Sequence, residues 1–430
     1  MIRLLAYTSP ARGHLYPVVP IVAELTRRGH RASLYTLAGE LEHLAPLGIE
    51  GSAIDPSIEA IQIEDWRARS PLGAIRSVMR TFVERSAHEA PDLQRAIAHC
   101  DPDVLLIDIN CWGAATVAEA SGLPWAMYSP YLLPLPSRDA PPYGPGLRPM
   151  SGPLGAVRDA LVGRVGERIS FQRVMPQVNS LRAQHDLPAL ARFTELLERP
   201  AVLLSLTAEG FEYPHSDWPT NVQLVGPMNW SPSGPSHANE SWLSGLGDPL
   251  VLVTCSTERQ RDKRLLHVAL EALPAAGISV LGTTAAHDPE EFHAPAGSRV
   301  VRFASHEAIL GGATCVVCHG GLGITQKALS AGVPVVVVPF GRDQAETARR
   351  VELARAGVRL SPRRLTPARL LRAVRMAIDL HPGTQCVSQA FAAAGGPPAA
   401  ADAIEALAST PREQDARPPG GVSSPRGVRR

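Results

Sequence analysis

The chain has 430 residues, 45% of them hydrophobic, with 42 basic and 41 acidic side chains giving a formal charge of +1. That length predicts two or three domains with substantial cores, and the near balance of charge excludes a field directed at nucleic acid or an acidic membrane. Six scattered cysteines, at 100, 111, 255, 315, 318 and 386, point to neither a disulfide framework nor a zinc site, so no metal is expected.

In chain order, the residues up to Tyr7 read as a short apolar strand ending at Thr8-Ser9-Pro10. It is too short for a signal peptide, and no apolar run of about 18 residues follows, so a cytoplasmic protein without membrane insertion is expected. The segment Ala11-Arg12-Gly13-His14-Leu15-Tyr16-Pro17 sets a histidine beside a glycine just before a helix predicted from about Pro17 to Arg28. A strand over Arg31 to Thr36 comes next. Further on, the strand Val104 to Asp108, a helix through Trp112 to Ala120 and a strand near Trp125 to Tyr128 complete a doubly wound pattern. In a parallel sheet the Asp108 side chain can emerge at the same edge as His14. A neutral histidine can take a proton near working pH, and a neighbouring carboxylate would fix its tautomer and stabilise the imidazolium. Taken singly, His14 could be a helix-capping or exposed loop residue, and Asp108 could be the N-cap of the next helix.

From Tyr131 to Pro153 the chain is rich in Pro and Gly and aperiodic, which predicts an irregular loop beside a cleft. A helix-rich stretch from about Leu154 to Leu197 and a strand at Val202 to Leu206 lead to a Pro/Ser/Gly break at 226–247, read as a linker. Alternation then restarts with strands at Leu250 to Thr254, Ser279 to Gly282 and Val300 to Phe303, and a helix from about Arg261 to Leu273. The most informative stretch runs from Cys318 to Gln344: strand, glycine turn, helix, strand, polar tip. Gly320, Gly321 and Gly323 let the backbone turn and present bare N–H groups at a helix start, where an anion is favoured. His319 and the tip Gly341-Arg342-Asp343-Gln344 both fall beyond strand carboxyl ends, where open α/β sheets gather ligands. The expected organisation is one domain over 1–225, a linker over 226–247, a second domain over 248–408 and a disordered Pro/Gly/Ser/Arg tail over 409–430.

His-Gly-Gly at 319–321, Gly-Val-Pro at 332–334 and Asp343-Gln344, together with Gly13-His14-x-x-Pro17 and Asp108-x-x-x-Trp112-Gly113-Ala114, resemble the inverting nucleotide-sugar glycosyltransferases that include macrolide, glycopeptide and plant natural-product enzymes. The resemblance extends to about Leu407. It implies an α/β fold of the GT-B type, two Rossmann-like domains facing a central cleft, with the acceptor held by the first and the donor by the second. It implies His14 and Asp108 as a catalytic dyad. His319 with Gly320, Gly321 and Gly323 would hold the donor diphosphate, and Asp343 and Gln344 would bond hydroxyls of the transferred sugar. Ser256 and Thr257, at the tip of the first strand of the second half, would touch the diphosphate, or they form a turn. Phe303 and Ala304 match the place where relatives hold the nucleobase, although Phe303 could equally be core.

One position departs from the family. Many relatives carry a glutamate for the ribose hydroxyls where this chain has Lys327, and a cation cannot accept those hydrogen bonds. Either Gln326 substitutes, or the donor is a thymidine diphosphate sugar lacking the 2′ hydroxyl, or Lys327 adds charge near the phosphates, or it is a surface lysine; the thymidine donor is favoured over uridine. The implied reaction is metal-independent and uses no cofactor beyond the nucleoside diphosphate sugar as co-substrate. The implied acceptor is a hydroxyl of a polyketide, macrolide or aromatic aglycone, with Trp66, Met79, Phe82 and Tyr143 suggesting an apolar cleft, though core packing explains them as well. A non-catalytic glycosyltransferase-like activator and a sugar-nucleotide epimerase of the same fold are the alternatives. Whether the chain forms a homodimer is left open.

Overall fold

The computed structural model describes residues 1–232 and 245–409, so most of the expected linker and the expected tail lie outside the described residues. The first half contains strands β1 (Arg3–Tyr7), β2 (Arg31–Thr36), β3 (Glu50–Ala53), β4 (Val104–Asp108), β5 (Trp125–Ser129), β6 (Val202–Ser205) and β7 (Val222–Leu224). Its helices are α1 (Arg12–Arg27), α2 (Pro56–Ala60), α3 (Pro71–Cys100), α4 (Trp112–Ala120), α5 (Pro153–Ser170) and α6 (Met175–Gln184). The second half contains β8 (Leu250–Thr254), β9 (Ser279–Thr283), β10 (Ser298–Val301), β11 (Cys315–Cys318), β12 (Val335–Val337) and β13 (Gly357–Arg359). With them come α7 (Lys263–Ala272), α8 (His306–Leu310), α9 (Leu322–Ser330), α10 (Gln344–Leu353), α11 (Pro367–Ile378), α12 (His381–Ala393) and α13 (Gly396–Ala408).

Each half is built on a parallel sheet, ordered β3-β2-β1-β4-β5-β6-β7 in the first and β10-β9-β8-β11-β12-β13 in the second. The central strands are uninterrupted apolar runs because helices cover both of their faces: every residue of β4 is buried, as is every residue of β11. Strand order reverses between β1 and β4 and again between β8 and β11, so each sheet opens a crevice at its carboxyl edge there. The register pairs Tyr7 with Ile107, which brings the turn after β1 level with Asp108.

Three features differ from the expectations raised by the sequence. Helix α1 starts at Arg12, not Pro17, so His14 sits in its first turn and not in a loop ahead of it. Pro17 and Pro20 lie inside this helix and leave only the carbonyls of Gly13 and Tyr16 without their usual donors. The 30-residue α3 has no counterpart among the predicted elements; its buried face mixes Phe82, Ala90, Leu93 and Ala96 with Arg85, Glu89 and Asp92, which blurs the apolar period. Helix α13 returns to the first lobe. Its Ala400, Ala401, Ile404 and Leu407 pack with Val18, Ile21 and Val22 of α1, and Arg28 reaches Asp402 (2.6 Å) and Glu405 (2.8 Å). Residues 396–408, expected to belong with the second half, thus cover the first sheet, because their apolar stripe at 3.6 spacing finds its groove there.

Candidate active site

Between the carboxyl edges of the two sheets lies a cavity of about 1480 Å³. On the first wall, Nδ1 of His14 is 2.8 Å from Oδ2 of Asp108, which is fully buried. The carboxylate also accepts from the backbone N–H of Asn110 (2.8 Å) and of Ser9 (3.2 Å) and from the Tyr128 hydroxyl (3.1 Å). These donors fix the carboxylate in place, aimed at the imidazole. The N-cap of α4 is Cys111, so Asp108 does not cap that helix. The other ring nitrogen, Nε2 of His14, faces the Asn110 amide nitrogen at 3.2 Å, and Tyr131 donates to the amide oxygen at 2.8 Å. The sequence alone did not single out Asn110 or Tyr131. The only signal was the place of Asn110 within the segment from Asp108 to Ala114.

On the second wall, β11 ends at Cys318 and the chain turns through His319 and Gly320 into α9, whose N-cap is Gly321. Gly320 has φ +98°, and a Cβ there would lie 2.6 Å from the Val337 side chain, so the turn needs glycine. His319 is nearly buried, and burial, reinforced by the Arg342 charge, holds its imidazole below the ordinary range. Its Nδ1 has no hydrogen-bond partner among the described residues. Gly323 stands open beside this turn: a Cβ there would meet no atom within 4 Å, and the residue lines the cavity.

The remaining expected donor residues divide. Asp343 is half-buried at the cavity wall, and burial pushes its carboxyl up, partly opposed by its own backbone N–H and by the positive charge of Arg342. Gln344, by contrast, is almost fully buried and spends its amide on the protein: Oε1 accepts from the N–H of Phe340 (2.7 Å) and Gly341 (3.1 Å), and Nε2 donates to Gln260 (2.6 Å). It braces the tip, because the short 340–344 turn leaves two inward N–H groups that its side chain reaches. Ser256 does form a turn, its Oγ accepting from the Glu258 N–H (3.1 Å) and Gln260 (3.0 Å), and its own hydroxyl proton is left to donate; Thr257 is exposed on the cavity side. Phe303 is 48% exposed, lines the cavity with Ala304 and lies under Arg12 of the opposite lobe at 5.7 Å, so it is not core.

Lys327 is no solvated surface lysine. Its Nζ donates to the Trp230 carbonyl (2.5 Å) and Ser231 (2.6 Å), and burial lowers its ammonium to about 8. Gln326 is buried and donates to the Leu206 carbonyl (2.7 Å), away from the cavity. Neither side chain presents a carboxylate where relatives use one.

The two walls are tied by ion pairs that no sequence pattern announced. Arg342 forms a bidentate pair with Asp65 (both contacts 2.9 Å). Arg350 bonds Glu212 (2.6 Å) and Glu346 (2.8 Å), and Glu346 accepts from the N–H groups of Gly144 (2.8 Å) and Gly146 (2.7 Å) in the irregular loop of the first lobe. That approach requires Gly146, where a Cβ would fall 2.1 Å from the Ala345 carbonyl oxygen. Among the described residues, Cys255, Asp262 and His287 bring possible metal-ligand atoms within 4.8 Å of one another. Asp262 is already bonded to the Ser256 N–H (2.6 Å) and His287 Nε2 (2.7 Å), so hydrogen bonding alone accounts for this cluster as a brace of the 256–262 turn.

Two facing Rossmann-like sheets with an imidazole–carboxylate pair on one wall and a glycine turn at a helix start on the other define a nucleotide-sugar transferase of the GT-B class. The sequence profile described as Erythromycin biosynthesis protein CIII-like, C-terminal domain, matches residues 270–408. The chain is 33% identical over 392 residues to 4′-demethylrebeccamycin synthase of Lentzea aerocolonigenes, covering 88% of this chain and 92% of that protein. In fold it is similar to the kitacinnamycin glycotransferase (TM-score 0.73, 21% identity, 94% of this chain and 99% of that one). It is also similar to the glycosyltransferase VinC solved in complex with dTDP (TM-score 0.67, 21% identity, 95% and 99%). The chain belongs to the macrolide-type nucleotide-sugar glycosyltransferase family of GT-B fold, and is a glycosyltransferase. Among the described residues, no helix is long and apolar enough to cross a membrane.

Proposed function

We propose that the protein transfers a sugar, with inversion, from a thymidine diphosphate sugar to a hydroxyl of a bulky apolar acceptor such as a polyketide or aromatic aglycone. The observation that carries this reading is the 2.8 Å His14–Asp108 contact on the wall opposite the His319-Gly320-Gly321 turn. Nε2 of His14 takes the acceptor's hydroxyl proton as the oxygen bonds the anomeric carbon; the bond from that carbon to the diphosphate oxygen breaks, and its electron pair leaves with the nucleoside diphosphate. His319, the N–H groups at the start of α9 and the Ser256 hydroxyl take up the negative charge of the leaving group, so that no bound metal is required. Asp343 bonds the sugar hydroxyls, with Gln344 holding its tip in place. Thr257 adds to the diphosphate contacts, and Phe303 and Ala304 seat the base. Trp66, Met79, Phe82, Trp112 and Phe193 give the acceptor side an apolar wall.

Support for thymidine comes from Gln326, which is turned away, and from Lys327, which accepts no hydrogen bond, so a ribose 2′ hydroxyl finds no carboxylate there. A thermal-shift comparison of thymidine and uridine diphosphates tests it: a nucleotide at about 100 times its Kd stabilises the protein by ~2.7 kcal/mol, and thymidine diphosphate is expected to give the larger shift at equal concentration. Equal shifts overturn the thymidine reading. Inversion is checked on the product, whose anomeric configuration by NMR is expected to be opposite to that of the donor.

A further inference from the structure

The His14 imidazole is held at both nitrogens, and only one of the two holders is a carboxylate. Nδ1 faces Asp108 (2.8 Å), so it carries a proton and donates. Nε2, the nitrogen on the cavity side of the pair, faces the amide nitrogen of Asn110 at 3.2 Å. A neutral imidazole with its proton on Nδ1 has a lone pair at Nε2 and accepts from that N–H. An imidazolium would set one donor against another. Asp108 favours the protonated ring and Asn110 opposes it, so the two residues act in opposite directions on the same base.

The polarity of the amide is set from its far end. Tyr131 directs its hydroxyl at Oδ1 of Asn110 (2.8 Å), and burial, together with the charges of Asp108 and Asp343, pushes that phenol well above its ordinary value, keeping it a donor. With Oδ1 occupied by Tyr131, the NH₂ group is left for Nε2. The Tyr131 ring also stands edge-on to the imidazole, centroids 5.9 Å apart. The backbone N–H of Asn110 is anchored on Asp108 itself (2.8 Å), and the residue is nearly buried while lining the cavity. The other titratable groups facing the ring are Tyr128, whose hydroxyl touches both Asp108 and the His14 carbonyl, and Asp343 across the cleft; Arg12 and Tyr16 share its helix, where both are bound to Glu40.

We propose that Asn110, oriented by Tyr131, is a positioning residue that keeps Nε2 of His14 unprotonated and directed to the cavity until the acceptor hydroxyl displaces its amide. The inference rests on the reading of His14 as the base. It gives a base that is ready before the acceptor arrives, with the lone pair covered by a weak partner that an incoming hydroxyl can replace. After proton transfer the Asn110 N–H and the new Nε2–H repel one another, which favours release of that proton in the next cycle.

The test uses the full chain labelled with ¹⁵N-histidine, with the His14 resonances identified by their loss in His14→Gln. The wild-type ring is expected to show a protonated Nδ1 and an unprotonated Nε2 near pH 8. In Asn110→Asp a carboxylate faces Nε2, and its protonated form is expected to persist to higher pH by about one unit or more. Tyr131→Phe, the more conservative change, frees the amide to turn its oxygen to Nε2 and is expected to move the titration in the same direction by a smaller amount. A merely structural role for either residue would lower the melting temperature without moving these resonances. Unchanged His14 resonances in both variants overturn the inference, whatever their turnover. Undiminished turnover in His14→Gln overturns instead the base reading beneath it, and the two failures are distinguishable because the NMR signal needs no substrate.

Discussion

His14→Gln is expected to lower turnover by about 10²-fold or more while leaving nucleotide binding nearly unchanged. Gln preserves the volume and can still donate to Asp108, but its amide cannot take a proton at any working pH. The groups that face the nucleotide in the proposed reading, His319, Ser256 and the start of α9, are all carried by the other lobe, so the affinity for thymidine diphosphate measured by calorimetry should hold. Asp108→Asn is the companion variant and should fail differently. The carboxylate serves the N–H groups of Ser9 and Asn110, the Tyr128 hydroxyl and His14, and an amide has a single acceptor oxygen to offer them. Loss of turnover there is therefore expected together with a lower melting temperature. Wild-type turnover in His14→Gln would remove this histidine from the chemistry.

The second large effect is expected at Arg350, which is 4% exposed and lies against the Tyr213 ring at 4.1 Å. Its guanidinium compensates two buried carboxylates, Glu212 and Glu346, so Arg350→Met takes the cation from both and is expected to cost roughly 3–5 kcal/mol in urea denaturation. Adding Glu212→Gln should recover part of that loss, because the cost lies in stranded charge more than in the missing contact. The pH dependence has a definite sign. Burial pushes the Glu212 carboxyl up, but the His215 hydrogen bond and the Arg350 charge outweigh it and leave the group below its ordinary value of 4.5. A depressed carboxyl stabilises the fold above the unfolded value and loses that contribution as pH falls through the folded one. The gap between wild type and Arg350→Met should therefore narrow as the solution is acidified below 4.5. A gap that stays constant would mean that Glu212 is not the charged partner.

What could be read from the chain, and what could not, follows from range. The central strands of both sheets are continuous apolar runs bounded by turn residues, and the 318–344 unit carries its own punctuation, so local pattern suffices for them; the short outer strands β3 (Glu-Gly-Ser-Ala), β7 and β13 carry no such run and were not foreseen. His14 and Asp108 were legible because Asp108 ends β4 and His14 opens the helix that follows the neighbouring β1, so both fall at the carboxyl edge of the same sheet. Their meeting needs only parallel order. Helix α3 was hidden by its polar inward face, and α13 by the fact that an Ala-rich amphipathic helix does not record which groove it fills. The pairs Asp65–Arg342 and Glu212–Arg350 join residues 277 and 138 positions apart, and nothing in the spacing of either partner names the other. Gln344 illustrates a different limit. Its residue type suits a sugar hydroxyl, yet the backbone donors of its own turn are nearer and claim its amide oxygen first.

The return of α13 to the first sheet means that the polypeptide passes between the lobes twice, once ahead of Leu250 and once after Ala393. Two such crossings constrain how the wall carrying His319 can be turned relative to the wall carrying His14 more tightly than one linker would. Cutting the chain at its midpoint would not yield two independent halves either: the amino-terminal fragment would be left with a bare trough where Ala400, Ala401 and Ile404 now sit.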